Sequence, residues 1–174
     1  MSKKDWANII NVFDVPIPVG DPEPQAPHYQ SGSSALHSRT AGATQIVYDI
    51  RVIAPGKMAV PYHYHHYNEE LFLILEGEAT LRMDNRRKIV KAGDLLFFTT
   101  GPGGAHQLYN HTQKPVRYLD LVARNRPDVC EYPDTGKINC EGIGIYRKED
   151  SVLYFNGEEQ PSPFWGEALD VENL

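Results

Sequence analysis

Between Pro61 and Glu70 the chain reads Pro-Tyr-His-Tyr-His-His-Tyr-Asn-Glu-Glu, so three of its seven histidines stand beside two carboxylates. If this stretch is extended, side-chain alternation puts His63 and His65 on one face and Tyr62 and Tyr64 on the other. His66 then falls opposite the first two, where it would support the site from behind or stay at the surface. A further imidazole, His106, follows the loop Gly101-Pro-Gly-Gly-Ala. Two imidazoles on one strand face can share a cation. A carboxylate from the next strand and an imidazole from a distant one would complete a mixed nitrogen and oxygen site for a divalent metal. Affinity tags also cluster histidines, but at chain ends and not between apolar segments. His28, His37 and His111 have no such partners in sequence and read as ordinary polar residues.

The elements that must position these groups are strands. From Thr44 onward, short segments rich in Val, Ile, Tyr, Phe and Leu recur between Gly, Pro, Asn and Asp, which predicts strands near 44–53, 58–65, 70–76, 78–84, 87–91, 94–99, 105–110, 115–123 and 141–147. Turn residues at Ala54-Pro-Gly56, Glu76-Gly77, Asp84-Asn85 and Ala92-Gly93-Asp94 separate them. Helix-period segments are nearly absent, so the expected class is all-β, a sandwich or barrel of jelly-roll kind. Glu70, Phe72 and Ile74 share one strand face and Leu71, Leu73 and Leu75 the other. Both faces are apolar, which predicts cover on both sides. One would be the barrel interior, and the other would pack on the N-terminal segment or a second subunit, making a homodimer the expected assembly.

Residues 1–43 read as an N-terminal extension wrapping the barrel, because the proline-rich run from Val15 to Gln30 cannot hold regular structure. Residues 44–147 form the barrel, and 148–174 form an acidic, aromatic tail expected to dock through residues such as Tyr154, Phe155 and Trp165. A net charge of −6 argues against a nucleic-acid partner. The longest apolar run, Leu71 to Leu75, is one strand long, so no membrane span is expected. The N-terminus carries no apolar segment of signal-peptide kind, and a cytoplasmic location is expected. Cys130 and Cys140 have neither zinc-knuckle nor disulfide-framework spacing and read as reduced thiols, with cysteine chemistry not expected.

Taken together, the residues resemble the two conserved-barrel motifs of the cupin superfamily, in the manner of a small single-domain (monocupin) protein. The first motif appears as Gly56, His63, His65, then four residues to Glu70 and six more to Gly77, and the second as Gly93, Pro102, Gly104, His106 and Asn110. The run before His63 and the loop before His106 are longer than the basic pattern. Over residues 44–123 the resemblance implies a cupin-type jelly-roll β-barrel with N- and C-terminal extensions, in which His63, His65, Glu70 and His106 bind one divalent ion. Glu69 is the alternative carboxylate. The six-residue gap to Gly77 and the shared parity with Phe72 both point to Glu70. Asn110 reads as structural.

Three neutral imidazoles and one carboxylate leave a six-coordinate Fe, Mn or Ni ion with two open positions, and Zn could bind four- or five-coordinate. Such an ion can polarise a carbonyl, activate water or carry oxygen chemistry. The expected pocket is lined by Tyr48, Ile50, Phe72 and Ile74, while Arg51, Arg82 and Arg117 are expected in surface ion pairs. The functional expectation is a metal-dependent enzyme of dioxygenase, isomerase or decarboxylase type acting on a small organic molecule. The alternative is a non-catalytic, metal-assisted small-ligand binder or sensor. A one-chain DNA-binding regulator would need a helix-turn-helix of about 50–60 periodic residues, which the proline-broken residues 1–43 do not supply.

Overall fold

The computed structural model describes residues 9–22, 24–34, 38, 41–84 and 86–156. Among them are twelve strands: β1 (Ser31–Ser33), β2 (Ile46–Ile53), β3 (Tyr64–His65), β4 (Glu69–Glu76), β5 (Glu78–Met83), β6 (Arg86–Lys91), β7 (Leu95–Phe98), β8 (His106–Tyr109), β9 (Val116–Ala123), β10 (Val129–Tyr132), β11 (Lys137–Cys140) and β12 (Gly144–Arg147). One wall is a five-stranded sheet in the order β1-β2-β9-β4-β7. Two smaller sheets, β6-β5-β8 and β12-β11-β10-β3, complete the architecture. A backbone bridge between His63 and His106 joins them, so two candidate ligands lie on the seam between the smaller sheets. The fold is the all-β jelly-roll expected. No described helix is long and apolar enough to cross a membrane.

Alternation along the large sheet explains how one barrel holds both a core and a site. Ile53, Ile74 and Val116 are each at most 1% exposed and join Phe72, Ala79, Leu81, Leu108 and Tyr118 in an apolar plug at one end. Two residues further along each strand the interior face turns polar. Arg51 lies opposite Tyr118, and Asp49 opposite Asp120, across the β2–β9 pair. Phe72 lies opposite Asp120 across β4–β9. The plug excludes water from one end, and the polar rows line the other. Gly77 makes the tight passage from β4 to β5 at φ +83°, where an added Cβ would stand 2.9 Å from the Pro115 carbonyl oxygen.

Three predicted elements are corrected. The expected strand over 58–65 is confined to β3, with isolated bridges at Met58 and His63. The expected extension contributes β1, which pairs with β2. The single strand expected over 141–147 is the last of a three-strand unit that includes β10 and β11. Residues before β1 contact the large sheet: Arg117 donates to the carbonyls of Val12 and Val15, and Gly32 packs so closely that a Cβ would meet the Pro18 oxygen at 2.4 Å. Tyr154 and Phe155 meet edge to face at 4.8 Å but are 89% and 74% exposed, so these tail aromatics do not dock on the barrel. Trp165 and His37 lie outside the described residues.

Candidate metal centre and its cavity

Each imidazole of the cluster is tied down through Nδ1. His63 Nδ1 is 2.9 Å from the Pro61 carbonyl oxygen, and His106 Nδ1 is 2.9 Å from that of Gly104. A carbonyl oxygen only accepts, so both rings donate from Nδ1 and carry their lone pair on Nε2. His65 Nδ1 lies 2.5 Å from Asp128 Oδ2, which selects the same tautomer, while Asp128 Oδ1 accepts the Tyr67 N–H at 3.1 Å. Anchored Nδ1 atoms and free Nε2 lone pairs are the arrangement that orients histidine toward a metal. Burial, helped by the neighbouring imidazoles, pushes His63 down to about 3. Burial also takes His106 down to about 4. Both rings are therefore neutral near pH 7, as ligands must be.

Glu70 Oε2 stands 3.1 Å from His106 Nε2 and 3.6 Å from His65 Nε2. Glu70 Oε2 and His106 Nε2 are buried with no hydrogen-bond partner. Two buried lone-pair atoms facing each other repel unless a proton or a metal ion lies between them. Burial raises the Glu70 carboxyl, so a proton serves in the metal-free protein. Bonds of about 2.0–2.1 Å meeting at a right angle would set two ligand atoms about 3 Å apart. The donor set therefore fits a divalent ion. The ligand atoms of His63, Glu70 and His106 lie within 4.8 Å of one another, as do those of His63, His65 and Cys130.

The supporting elements follow from local sequence. The turn Pro102–Gly104 delivers His106 to the start of β8. Gly104 is required there, since a Cβ would collide with the Thr99 oxygen at 1.8 Å. Phe98 stacks on the His106 ring at 3.6 Å and 13°, and Phe72 meets it edge-on at 5.3 Å. Glu70 projects inward from β4 and is 5% exposed, whereas Glu69 is exposed. His66 points away and donates from Nε2 to Glu131 Oε1 at 2.8 Å. Asn110 is fully engaged, donating to the Ile53 and Lys114 carbonyls and accepting from the Thr112 N–H and hydroxyl.

A cavity of about 560 Å³ opens beside the cluster. Tyr48 and Phe72 line it, and Ile50 and Ile74 do not. Ile74 belongs to the apolar plug. Ile50 is fully buried on the other side of β2, because the interior face of that strand is Val47, Asp49 and Arg51. The reading from sequence put the apolar set inward, whereas residues 12–18 cover the outer face and let the polar set line the cavity. Arg51 is thus no surface ion pair. Its Nε lies 2.8 Å from Asp120 Oδ2 and 3.5 Å from Asp49 Oδ2, and Asp49 also bonds Ser33 and Ser34. Burial, reinforced by the Glu70 charge, raises Asp120 well above the usual carboxylate range. Arg82 and Arg117 lie outside this cavity; Arg82 forms a two-point pair with Asp134 and covers the Tyr62 ring at 3.8 Å.

The far wall comes from the β10–β11 unit and its flanks: Asp128, Cys130, Tyr132, Asn139 and Glu141. None was foreseen. The available signal was the alternation Asp128, Cys130, Tyr132, with aromatic and thiol groups on one parity.

The cupin-domain family model matches residues 50–122. The tetracenomycin polyketide synthase protein TcmJ of Streptomyces glaucescens is 25% identical over 118 residues, covering 67% of this chain and 74% of that protein. Among solved structures, a protein of Acidithiobacillus ferrooxidans provisionally assigned as a sugar phosphate isomerase is 26% identical with a TM-score of 0.67, covering 74% of this chain and 83% of that one. A sugar phosphate isomerase of the cupin superfamily from Silicibacter pomeroyi is 25% identical with a TM-score of 0.63, covering 72% and 82%.

Proposed function

The chain is a small cupin-domain protein, and we propose that it is a metal-dependent enzyme of isomerase type, moving a proton on a small, uncharged, polyoxygenated molecule held in the barrel cavity. The observation that carries this reading is the convergence of His63, His65, Glu70 and His106, with every Nδ1 anchored and two buried ligand atoms left unpartnered at 3.1 Å. An ion held there would supply Lewis acidity toward a carbonyl oxygen of the substrate. The isomerases similar to this chain support the reaction class.

The cavity's own groups supply the rest. Asp120 is held by Arg51 through Oδ2 and shares a side-chain hydrogen bond with Glu70, so its carboxyl is the group placed to take and return a proton. Tyr132 and Asn139 offer hydrogen bonds to hydroxyls, and Val47, Val60, Phe72 and Val122 restrict water. The lining carries five carboxylates (Asp49, Glu70, Asp120, Asp128, Glu141) against two guanidiniums (Arg51, Arg124). Formally that is −3, or −1 with a divalent ion. Such a wall favours neutral polyols and hydroxycarbonyls over phosphorylated or carboxylated substrates.

The test begins with elemental analysis of untagged protein. His63→Ala, His65→Ala, His106→Ala and Glu70→Gln should each lower metal content sharply, whereas His66→Ala and Glu69→Gln should not. Metal-loaded protein should then catalyse exchange of the proton next to the carbonyl of small hydroxyaldehydes and ketoses in deuterated water, followed by NMR. Asp120→Asn should stop exchange with metal retained. A folded chain that binds no added ion would refute the reading, and metal-dependent ligand binding without exchange would replace it with a non-catalytic binder.

A further inference from the structure

We propose that Cys130 is a fifth protein ligand to this ion, closing the site on the side of His65. The inference rests on the metal centre proposed above and assigns it a donor outside the four-residue set. Cys130 is paired directly with His65 across β10–β3. Directly opposed residues on neighbouring antiparallel strands project from the same face with Cβ atoms about 4.5–5.5 Å apart. The side chains are so placed: the sulfur and the ligand atoms of His63 and His65 lie within 4.8 Å of one another. His63 is shared with the other triad, His63, Glu70 and His106. The two groups thus share one imidazole. The buried, unpartnered Glu70 Oε2 and His106 Nε2 call independently for a proton or a metal ion between them.

Cys130 is a free thiol, 7% exposed, on the cavity wall. On coordination the S–H bond breaks, the sulfur–metal bond forms and the proton leaves to solvent, since a coordinating thiol is deprotonated outright. Tyr132, two residues on and on the same strand face, hydrogen-bonds the sulfur, and its hydroxyl can donate to a thiolate. Two consequences follow. A six-coordinate ion with five protein ligands keeps one position, so the substrate binds it through a single oxygen. A thiolate also favours iron, cobalt, nickel or zinc over manganese. Cys140, on the neighbouring strand and absent from the cavity lining, is the internal control.

The experiment strips the protein with a chelator and titrates it with cobalt(II) alone, measuring stoichiometry by elemental analysis and absorbance in the near ultraviolet. Wild type and Cys140→Ser should bind one cobalt and show a thiolate-to-cobalt charge-transfer band. Cys130→Ser should still bind one cobalt, without the band and at least about tenfold more weakly, while its manganese affinity changes by less than about threefold. One bound cobalt in wild type with no thiolate band, or a band that persists in Cys130→Ser, overturns the assignment. Failure to bind any cobalt sinks the metal centre itself, a different and distinguishable result. The wild-type spectrum needs no variant, and Cys130→Ala, which buries no polar atom, serves if the serine variant does not fold.

Discussion

Asp128→Asn is the most discriminating perturbation of the site, because it keeps shape and removes one acceptor. Asp128 accepts from two donors at once, His65 Nδ1 at 2.5 Å and the Tyr67 N–H at 3.1 Å. An asparagine has one oxygen and one amide nitrogen. With the oxygen toward Tyr67, the amide faces His65 Nδ1, moves the ring proton to Nε2 and abolishes the lone pair that would bind metal. With the oxygen toward His65, the tautomer survives, but the amide confronts the Tyr67 N–H, donor against donor. The metal-free protein therefore adopts the first arrangement, and metal binding must drive it into the second. That reversal costs about 1–3 kcal/mol, the penalty of a buried unsatisfied donor. This agrees with the 10–100-fold loss of affinity typical of removing the partner behind a histidine ligand. The assay is zinc or cobalt competition against a chromogenic chelator at neutral pH, with unfolding of the metal-free protein as control. The expected result is weaker metal binding with metal-free stability almost unchanged. Affinity within about twofold of wild type would refute the tautomer argument.

Other consequences are equally direct. Gly104→Ala should lower both stability and metal content, since its Cβ would meet the Thr99 oxygen at 1.8 Å and displace the carbonyl that holds His106; thermal unfolding and elemental analysis check it. Adding cobalt at about 100 times its dissociation constant should stabilise the stripped protein by about 2.7 kcal/mol, raising the melting temperature by roughly 5–10 °C for a domain of this size. His63→Ala should abolish that rise. Glu131 works against its own burial, but bonds from Lys148, His66 and Tyr64 hold its carboxyl below the usual range. A depressed carboxylate contributes stability above its unfolded pKa and loses it as the pH falls through the folded one. Glu131→Gln should therefore cost no more than about 1 kcal/mol at neutral pH, because Lys148 is open to solvent. The gap from wild type should close below about pH 4 in urea titrations.

Much of the barrel is legible in sequence because its strands are long, apolar and bounded by glycine turns. β4 and β9 each run eight residues with regular alternation. Parity puts His63 and His65 on one face, and the motif's six-residue gap to Gly77 together with shared parity with Phe72 points to Glu70 over Glu69. What escapes is whatever depends on cover from afar. Nothing local says that residues 12–18 lie across the outer face of β2, so Ile50 looked like a cavity residue and Arg51 like a surface one. The β10–β11 hairpin escapes for another reason. Its strands are four residues each and mix Glu, Lys and Asn with Val and Ile, a pattern indistinguishable from a loop until β3 supplies the pairing.

On the proposed reading, that hairpin bears on the chemistry more than the four candidate ligands do. The same histidine and glutamate set can serve oxygen activation, decarboxylation or proton transfer, so the distinguishing information must lie in the groups that surround it. Here the β2 and β9 rows place Asp49, Arg51 and Asp120 on one side, and β10 and its flanks place Asp128, Cys130, Tyr132 and Glu141 on the other. Each buried carboxylate costs free energy to desolvate. Carboxylates are retained where they hold imidazoles, as Asp128 does, or handle protons, as the position of Asp120 allows. The ligand cluster suits a metal ion in many chemistries, and this wall is the reason for proposing proton movement on a neutral, oxygen-rich molecule.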